Sequence, residues 1–389
     1  MDDDEDEIDA MDSIVVHKHI KVMSGHHKNQ KRTESKYSNG DKSSATNYTL
    51  QRQESKKIEK YLQKEKKLYE TKSKEPKILV LGTADSGKST FLKQLKLIHG
   101  NGFTNEEYQM AKRLAINGIL GAAEQLILHC DQDIQASYDI LIRFISNEEG
   151  PFDYLAPGFI RLISSLWNEP QIQQKYEELE YCFPSTITHF LDNIDRIASK
   201  DSVLTAEDLL LLRVVTNGVI EITFVIDDAN VHFYDVSGLK NHRHQWVPYF
   251  DDVNSIIFII NIASYDQKMI EDSTTNQMED ALKLFDDICN HSLLSKSQMV
   301  VFFNKTDLFQ KKVNKIPIKN TFQDYEGKPG SNSQGLEFFK KKFKDLNRTG
   351  RPIMVQFTCC TDCNSMKIIG DSIIKNVLEK NLETLGVPL

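Results

Sequence analysis

The chain has 389 residues, too many for a single core to be expected, and its make-up of 40% hydrophobic and 27% charged residues is ordinary for a soluble globular protein. A formal net charge of −8 argues against nucleic acid as the main partner. No apolar run approaches the roughly 18 residues of a membrane span, and the start lacks the apolar stretch of a secretory signal.

Residues 1–50 open with the acidic block Asp2-Asp3-Asp4-Glu5-Asp6-Glu7. His17, His19, His26 and His27 follow among Lys18, Lys21, Lys28, Lys31 and Arg32, with few apolar side chains. Such a segment cannot bury enough apolar surface to offset the entropy of ordering, so it is expected to be a disordered tail, and its histidines have nothing to arrange them around a metal. From Gln51 the composition turns helical. Ile58, Tyr61, Leu62, Leu68 and Tyr69 interrupt a strongly basic stretch, which predicts an N-terminal helix over 51–75. Residue 2 is Asp2, not the glycine that N-myristoylation requires, and the first cysteine is Cys130, so N-terminal acylation has no acceptor. Metabolic labelling is therefore expected to put no fatty acid on the segment before Pro76, and salt should release any membrane attachment made through the basic helix. Label on that segment would refute this reading.

The apolar run Ile78-Leu79-Val80-Leu81 leads into Gly82-Thr83-Ala84-Asp85-Ser86-Gly87-Lys88-Ser89-Thr90, which fits G-x-x-x-x-G-K-[ST]. A strand, a phosphate loop and a helix start are predicted in that order. The chemistry needs these residue types. Gly82 and Gly87 let the backbone amides around Asp85 and Ser86 close on a β-phosphate at the start of the helix carrying Thr90. Lys88 reaches the β/γ oxygens, and the Ser89 hydroxyl is suited to ligate Mg²⁺.

From about His99 to Asp208 β-type alternation is missing. Thr104 and Glu107 can form a capping box, and Met110, Leu114, Ile119, Leu120, Leu126 and Ile127 follow at helical spacing, so 99–208 reads as an all-helical insert. The flanking parts, 76–98 and 209–389, alternate buried strands with helices. They predict an α/β domain with a mostly parallel sheet and a ligand at the carboxyl ends of its strands.

Beyond the insert, Asp235-Val236-Ser237-Gly238 ends the strand-like run 231–234, placing a carboxylate near Mg²⁺ and the Gly238 amide near a γ-phosphate. After the apolar run 299–303 comes Asn304-Lys305-Thr306-Asp307. Asp307 can accept from N1–H and the 2-amino group of guanine, Asn304 can bond the N7 edge, and the Lys305 stem can cover the ring. Adenine offers no such donor pair. After 353–357, Thr358-Cys359-Cys360-Thr361 can present a loop amide at Cys360 to guanine O6. Each signal is weak or moderate alone, but together they keep the order of a GTPase. The six cysteines, at 130, 182, 289, 359, 360 and 363, are expected as reduced thiols, including the pair at Cys360 and Cys363 with redox-motif spacing. A last helix over about 371–385 would turn Ile373, Ile374, Val377, Leu378 and Leu382 inward.

These residues resemble the heterotrimeric G-protein alpha subunits over roughly 55–389. The long spacing from Gly82 to Asp235 is similar to that family's helical insertion. Asp208 to Gly218 resembles its switch I, Trp246 stands where its switch II carries tryptophan, and 190–197, 283–286 and 304–309 also read as family stretches. The resemblance implies a Ras-like GTPase domain with an inserted all-helical domain, Mg²⁺, and GTP or GDP as ligand. Arg213 would be the arginine supplied in cis to the transferring phosphoryl group, and Thr216 the second hydroxyl ligand of Mg²⁺ beside Ser89. It also implies a beta-gamma dimer on the N-terminal helix, a G-protein-coupled receptor, an effector, and a cytoplasmic location, peripheral on the plasma membrane.

The departures from the family pattern are specific. Leu239 replaces the glutamine that orients the attacking water, so slow GTP hydrolysis is expected. Asp85 replaces a glutamate one methylene longer, weakening the expected contact with Arg213. Ser237 replaces a glycine, Val215 and Asn217 replace switch I Lys and Thr, and Gly386-Val387-Pro388-Leu389 differs from the usual receptor-reading tail. Two other readings remain at this level: a GTP-binding scaffold without turnover, and a P-loop ATPase or kinase, which Asp307 argues against.

Overall fold

The computed structural model describes residues 75–147, 150, 152–179, 182–214, 216, 218–226, 229–269 and 272–384, with side chains up to 381. The tail expected over 1–50, the helix expected over 51–75 apart from its last residue, Val215, Asn217 and the end from Gly386 to Leu389 lie outside the described residues, as does the Leu382 side chain.

Six strands form one sheet: β1 (Lys77–Leu81), β2 (Val219–Ile226), β3 (Ala229–Val236), β4 (Ser255–Asn261), β5 (Gln298–Asn304) and β6 (Ile353–Phe357), in the order β2-β3-β1-β4-β5-β6. Only β2 runs antiparallel to its neighbour; the other pairings are parallel. In the central strands the side chains divide by parity, as a strand of period two requires. Leu79, Leu81, Phe258, Ile260, Val301 and Phe303 enter one core, while Ile78, Val80, Ile257, Ile259, Val300 and Phe302 enter the other. Every residue of β4 is buried, the mark of a parallel strand covered on both faces. The first core is closed by α10 (Gln277–Cys289), α11 (Thr306–Val313) and α12 (Asn332–Asp345) through Phe285, Phe309, Phe339 and Phe343. The opposite core is closed by α1 (Lys88–His99) and α13 (Cys363–Thr384) through Phe91, Leu95, Ile373, Ile374 and Val377.

Between α1 and β2 the described chain is helical: α2 (Asn105–Leu128), α3 (Gln132–Ser137), α4 (Asp139–Asn147), α5 (Pro157–Trp167), α6 (Pro170–Leu179), α7 (Ile187–Asp192), α8 (Ile194–Ile197) and α9 (Ala206–Leu211). Thr104 and Glu107 form the expected capping box at the start of α2, and Ile119, Leu120, Leu126 and Ile127 are buried. Met110 and Leu114, read at the same spacing, are exposed, because the first turns of this 24-residue helix present that face to solvent. The helices enclose a third core of their own, which reaches Leu209 and Leu212 and so runs past the boundary expected at 208. Helix α13 starts at Cys363, earlier than expected, because Asp362 accepts from the N–H groups of Asn364 (3.1 Å) and Ser365 (3.2 Å) and caps it.

The sheet register places the site. Val80 pairs with Asp235 on one side and Ile257 on the other, so the loop after β1 and the turn after β3 emerge side by side at the carboxyl edge. Asn261 pairs with Asn304, which brings the turn after β5 to the same edge.

Candidate functional site

One pocket at that edge is lined by Asp85 to Thr90, by Arg213 and Thr216, by Ser237, Gly238 and Leu239, and by Asn304, Lys305, Asp307 and Cys360. Gly82 stands at the base of the same loop, where its carbonyl accepts from Lys88 Nζ (3.1 Å); Thr83 O accepts from the same nitrogen (2.8 Å). Residues that sequence reasoning scattered over five segments thus converge.

The phosphate loop is shaped by backbone constraint. Gly87 caps α1 at φ 104°, a left-handed conformation, and a side chain there would collide with the Asn304 amide. Asn304 spends its side chain on holding loops together: Nδ2 donates to Ser86 O (2.8 Å), and Oδ1 accepts from Cys360 N–H (2.9 Å) and Thr358 Oγ1 (3.3 Å). The Cys360 amide is therefore engaged by Asn304 in this arrangement. Asp85 (φ 58°) and Lys305 (φ 63°) are both left-handed without being glycine, and they pair with each other, Lys305 Nζ to Asp85 Oδ2 at 2.9 Å. Strain of this kind persists where surrounding contacts over-determine the backbone. Burial would raise the Asp85 carboxyl, but Lys305, Arg213 and Lys88 outweigh it and hold it below the ordinary carboxylate value. Asp85 thus bonds Lys305, and Arg213 acts on it only through its charge.

Lys88 is buried, and burial pushes its ammonium down to about 8 against the pull of Asp235. Across the pocket floor Ser89 Oγ lies 2.8 Å from Thr216 Oγ1 and donates to Asp235 Oδ2 (2.9 Å), while Thr216 Oγ1 donates to the same oxygen (3.2 Å). Burial raises the Asp235 carboxyl despite Lys88 and these hydroxyls. Its other oxygen, Oδ1, is buried without a hydrogen-bond partner, as is Ser86 Oγ. Two hydroxyls and a carboxylate with an unsatisfied buried oxygen are a hard oxygen donor set, and they fit Mg²⁺.

Gly238 is pressed against the phosphate loop, so that a Cβ there would strike Lys88 Nζ and come within 2.6 Å of Ala84 N. Leu239, half-buried, begins a 3₁₀ segment (Lys240–Tyr249) and lines the pocket with a side chain that has no polar atom. The Ser237 hydroxyl bonds His242 Nδ1 (2.9 Å), and its carbonyl accepts from Trp246 Nε1 (3.1 Å), so both departures from the family pattern sit in a tied turn. Arg243 in the same segment pairs with buried Asp280 on α10. Asp307 lies in the first turn of α11 at the rim and is exposed. All six cysteines are free. Burial pushes the Cys360 thiol up to about 12, which makes it a packing residue, not a thiolate.

Three features were missed from sequence. The wall facing the phosphate loop includes Pro184, Thr186, Thr188 and His189, from the helical insert. Asp208, fully buried, joins that wall to the segment before Arg213: it accepts from Arg196 through both oxygens (2.8 and 2.8 Å), from His189 Nε2 (2.8 Å) and from Thr205 N–H (2.7 Å). Lys93 on α1 donates to Leu209 O (2.8 Å) and Leu212 O (2.9 Å). Neither charged residue stands out in sequence: Lys93 is one of three lysines in α1, and Asp208 follows Glu207 in the first turn of α9.

A phosphate loop before a helix, a hydroxyl–carboxylate cluster and a helical insert over a mostly parallel sheet define a P-loop nucleotide-binding protein of the Ras-like class with an inserted helical domain. The G-protein alpha subunit profile matches residues 52–377, and the chain belongs to that family. Among its relatives, the guanine nucleotide-binding protein alpha-17 subunit of Caenorhabditis elegans is 36% identical over 346 residues, covering 85% of this chain and 95% of the relative. The guanine nucleotide-binding protein subunit alpha of Cochliobolus heterostrophus is 34% identical over 86% of this chain and 96% of its own. The alpha-9 subunit of Dictyostelium discoideum is 35% identical over 87% and 98%.

Proposed function

We propose that this chain is a signal-transducing alpha subunit that binds GTP with Mg²⁺ and hydrolyses it slowly. The observation that carries the reading is the meeting of phosphate loop, hydroxyl–carboxylate cluster and Asn304/Lys305/Asp307 turn in one pocket. Lys88 and the amides of 85–90 bind the phosphates. Ser89 and Thr216, oriented by Asp235, would hold Mg²⁺, which when bound neutralises charge on the phosphate oxygens. Arg213 faces the same cavity and stabilises charge that develops on the transferring group, while the Gly238 amide meets the γ-phosphate. Leu239 cannot hold a water, and this is the basis for slow turnover. Asp307, open at the rim, is covered by guanine when it accepts from the base.

Family membership supports a beta-gamma dimer, a G-protein-coupled receptor and an effector as partners, and a place in the cytoplasm, peripheral on the plasma membrane. Among the described residues no helix is long and apolar enough to cross a membrane. The alternative, a GTP-binding scaffold without turnover, differs in single-turnover hydrolysis and nucleotide release.

Calorimetry with Mg²⁺ tests the base assignment. GTP is expected to bind at least about a hundredfold tighter than ATP, about 2.7 kcal/mol, because ATP leaves Asp307 without its two donors. Asp307→Asn should move preference toward xanthine nucleotides. Equal affinities for GTP and ATP would overturn the guanine reading.

A further inference from the structure

The last carbonyls of a helix have no partner within the helix and need one from elsewhere. At the end of α9 these partners come from two sides. Lys93 on α1, six residues after the Gly87 cap, donates to Leu209 O (2.8 Å) and Leu212 O (2.9 Å), and Thr186 of the helical insert donates through Oγ1 to Leu211 O (2.7 Å). Arg213 is the next residue after Leu212, and no further regular structure intervenes between this double clasp and the pocket it faces. The Lys93 ammonium sits against the carbonyl end of α9, where a cation is favoured, and is carried on the same helix that begins with Lys88 and Ser89. A single rigid element thus holds the phosphate-binding lysine at one end and, about one and a half turns on, the clasp on the backbone that aims Arg213.

We infer that Lys93 is a positioning residue for phosphoryl transfer: it clamps the connector between the helical insert and β2 so that the Arg213 guanidinium is registered on the phosphate loop. This deepens the function proposed above and rests on its assignment of Arg213. Without the clasp, Leu209 O and Leu212 O turn to water, the connector gains freedom, and Arg213 samples orientations away from the phosphates. Misplacement of about 1 Å by a residue that touches no reacting atom costs up to about a hundredfold in rate.

A double-mutant cycle on single-turnover GTP hydrolysis tests this, using the full chain and the variants Lys93→Met, Lys93→Arg, Arg213→Ala and Lys93→Met with Arg213→Ala. Lys93→Met is expected to slow hydrolysis by about tenfold or more, and Lys93→Arg, which keeps two donors, to restore most of the rate. The double variant should be no slower than Arg213→Ala, since a misaimed arginine that is absent cannot matter. A merely structural role of Lys93 would instead add its full loss on top of Arg213→Ala, and that result overturns the proposal, as does an unchanged rate in Lys93→Met. If Arg213→Ala leaves hydrolysis unchanged, the arginine assignment falls and the clasp with it. If Arg213→Ala slows hydrolysis and Lys93→Met does not, the clasp alone falls. Should Lys93→Met not yield folded protein, Lys93→Gln, which removes the charge and shortens the stem by one bond, takes its place in the same cycle.

Discussion

Leu239→Gln is expected to raise single-turnover GTP hydrolysis by at least about tenfold while leaving nucleotide affinity nearly unchanged. Removing one group that acts only in the transition state typically costs about 10² to 10³ in rate, about 2.7 to 4 kcal/mol, and an aliphatic side chain at the turn after β3 removes such a group. Arg213, Lys88 and the hydroxyl–carboxylate cluster remain in the pocket, so binding is retained. Of the other polar candidates in this turn, Asn241 is exposed and His242 already uses Nδ1 on the Ser237 hydroxyl, while Trp246 ties the Ser237 carbonyl from the same segment. The measurement is single-turnover hydrolysis of both proteins, with affinity determined alongside so that a change in kcat is separated from a change in binding. A wild-type chain that already hydrolyses as fast as the glutamine variant would make this an ordinary cycling GTPase.

Asp208→Ala should destabilise the protein by about 3 kcal/mol or more. Breaking a buried ion pair by removing one partner costs about 3–5 kcal/mol, and losing an N-terminal helix cap contact adds to it. Arg196 is 39% exposed and can recover some hydration, which places the expectation at the lower end. Asp208→Asn, which can still accept from Thr205 N–H, should cost less. The assay is urea denaturation at a fixed nucleotide concentration, because bound ligand itself shifts the midpoint. The pH dependence has a definite sign. Burial would raise the Asp208 carboxyl, but Arg196, His189 and Thr205 outweigh it and hold it well below the ordinary carboxylate range. A carboxyl depressed in the folded state contributes fully above its unfolded value, about 3.9, and loses that contribution as pH falls through the lower folded value. The acid limb of the stability curve should therefore be shallower in Asp208→Asn; identical acid limbs would contradict the assignment.

Much of the architecture was legible because it rests on local rules. Apolar runs gave β1, β3, β5 and β6 to within two residues at each end, and the Thr104/Glu107 box located the start of α2. The phosphate loop was readable because its chemistry is written in one contiguous stretch, from Gly82 to Thr90. The three other strand-end turns were readable for the same reason. Helix α13 was placed too late because Cys360 to Cys363 looked like loop, while an aspartate cap at Asp362 starts the helix there.

What the sequence determined by itself was the types and order of the groups proposed to act on a nucleotide, since these are local properties of the chain. What only the tertiary structure decided was which of them touch. The parallel register of β1 with β3 and the antiparallel pairing of β2 with β3 bring Ser89, Thr216 and Asp235 within 3.2 Å, a convergence across distant segments that no window of sequence contains. Asp85 has three cations within reach of its charge, Lys305, Arg213 and Lys88. The left-handed backbone at both Asp85 and Lys305 aimed it at Lys305. Lys93 reveals its role only when α1 packs against α9, and Asp208 only when Arg196 and His189 are brought to α9, because a charged side chain in a helix has no assigned partner until the carbonyls or guanidinium it satisfies arrive from another part of the chain.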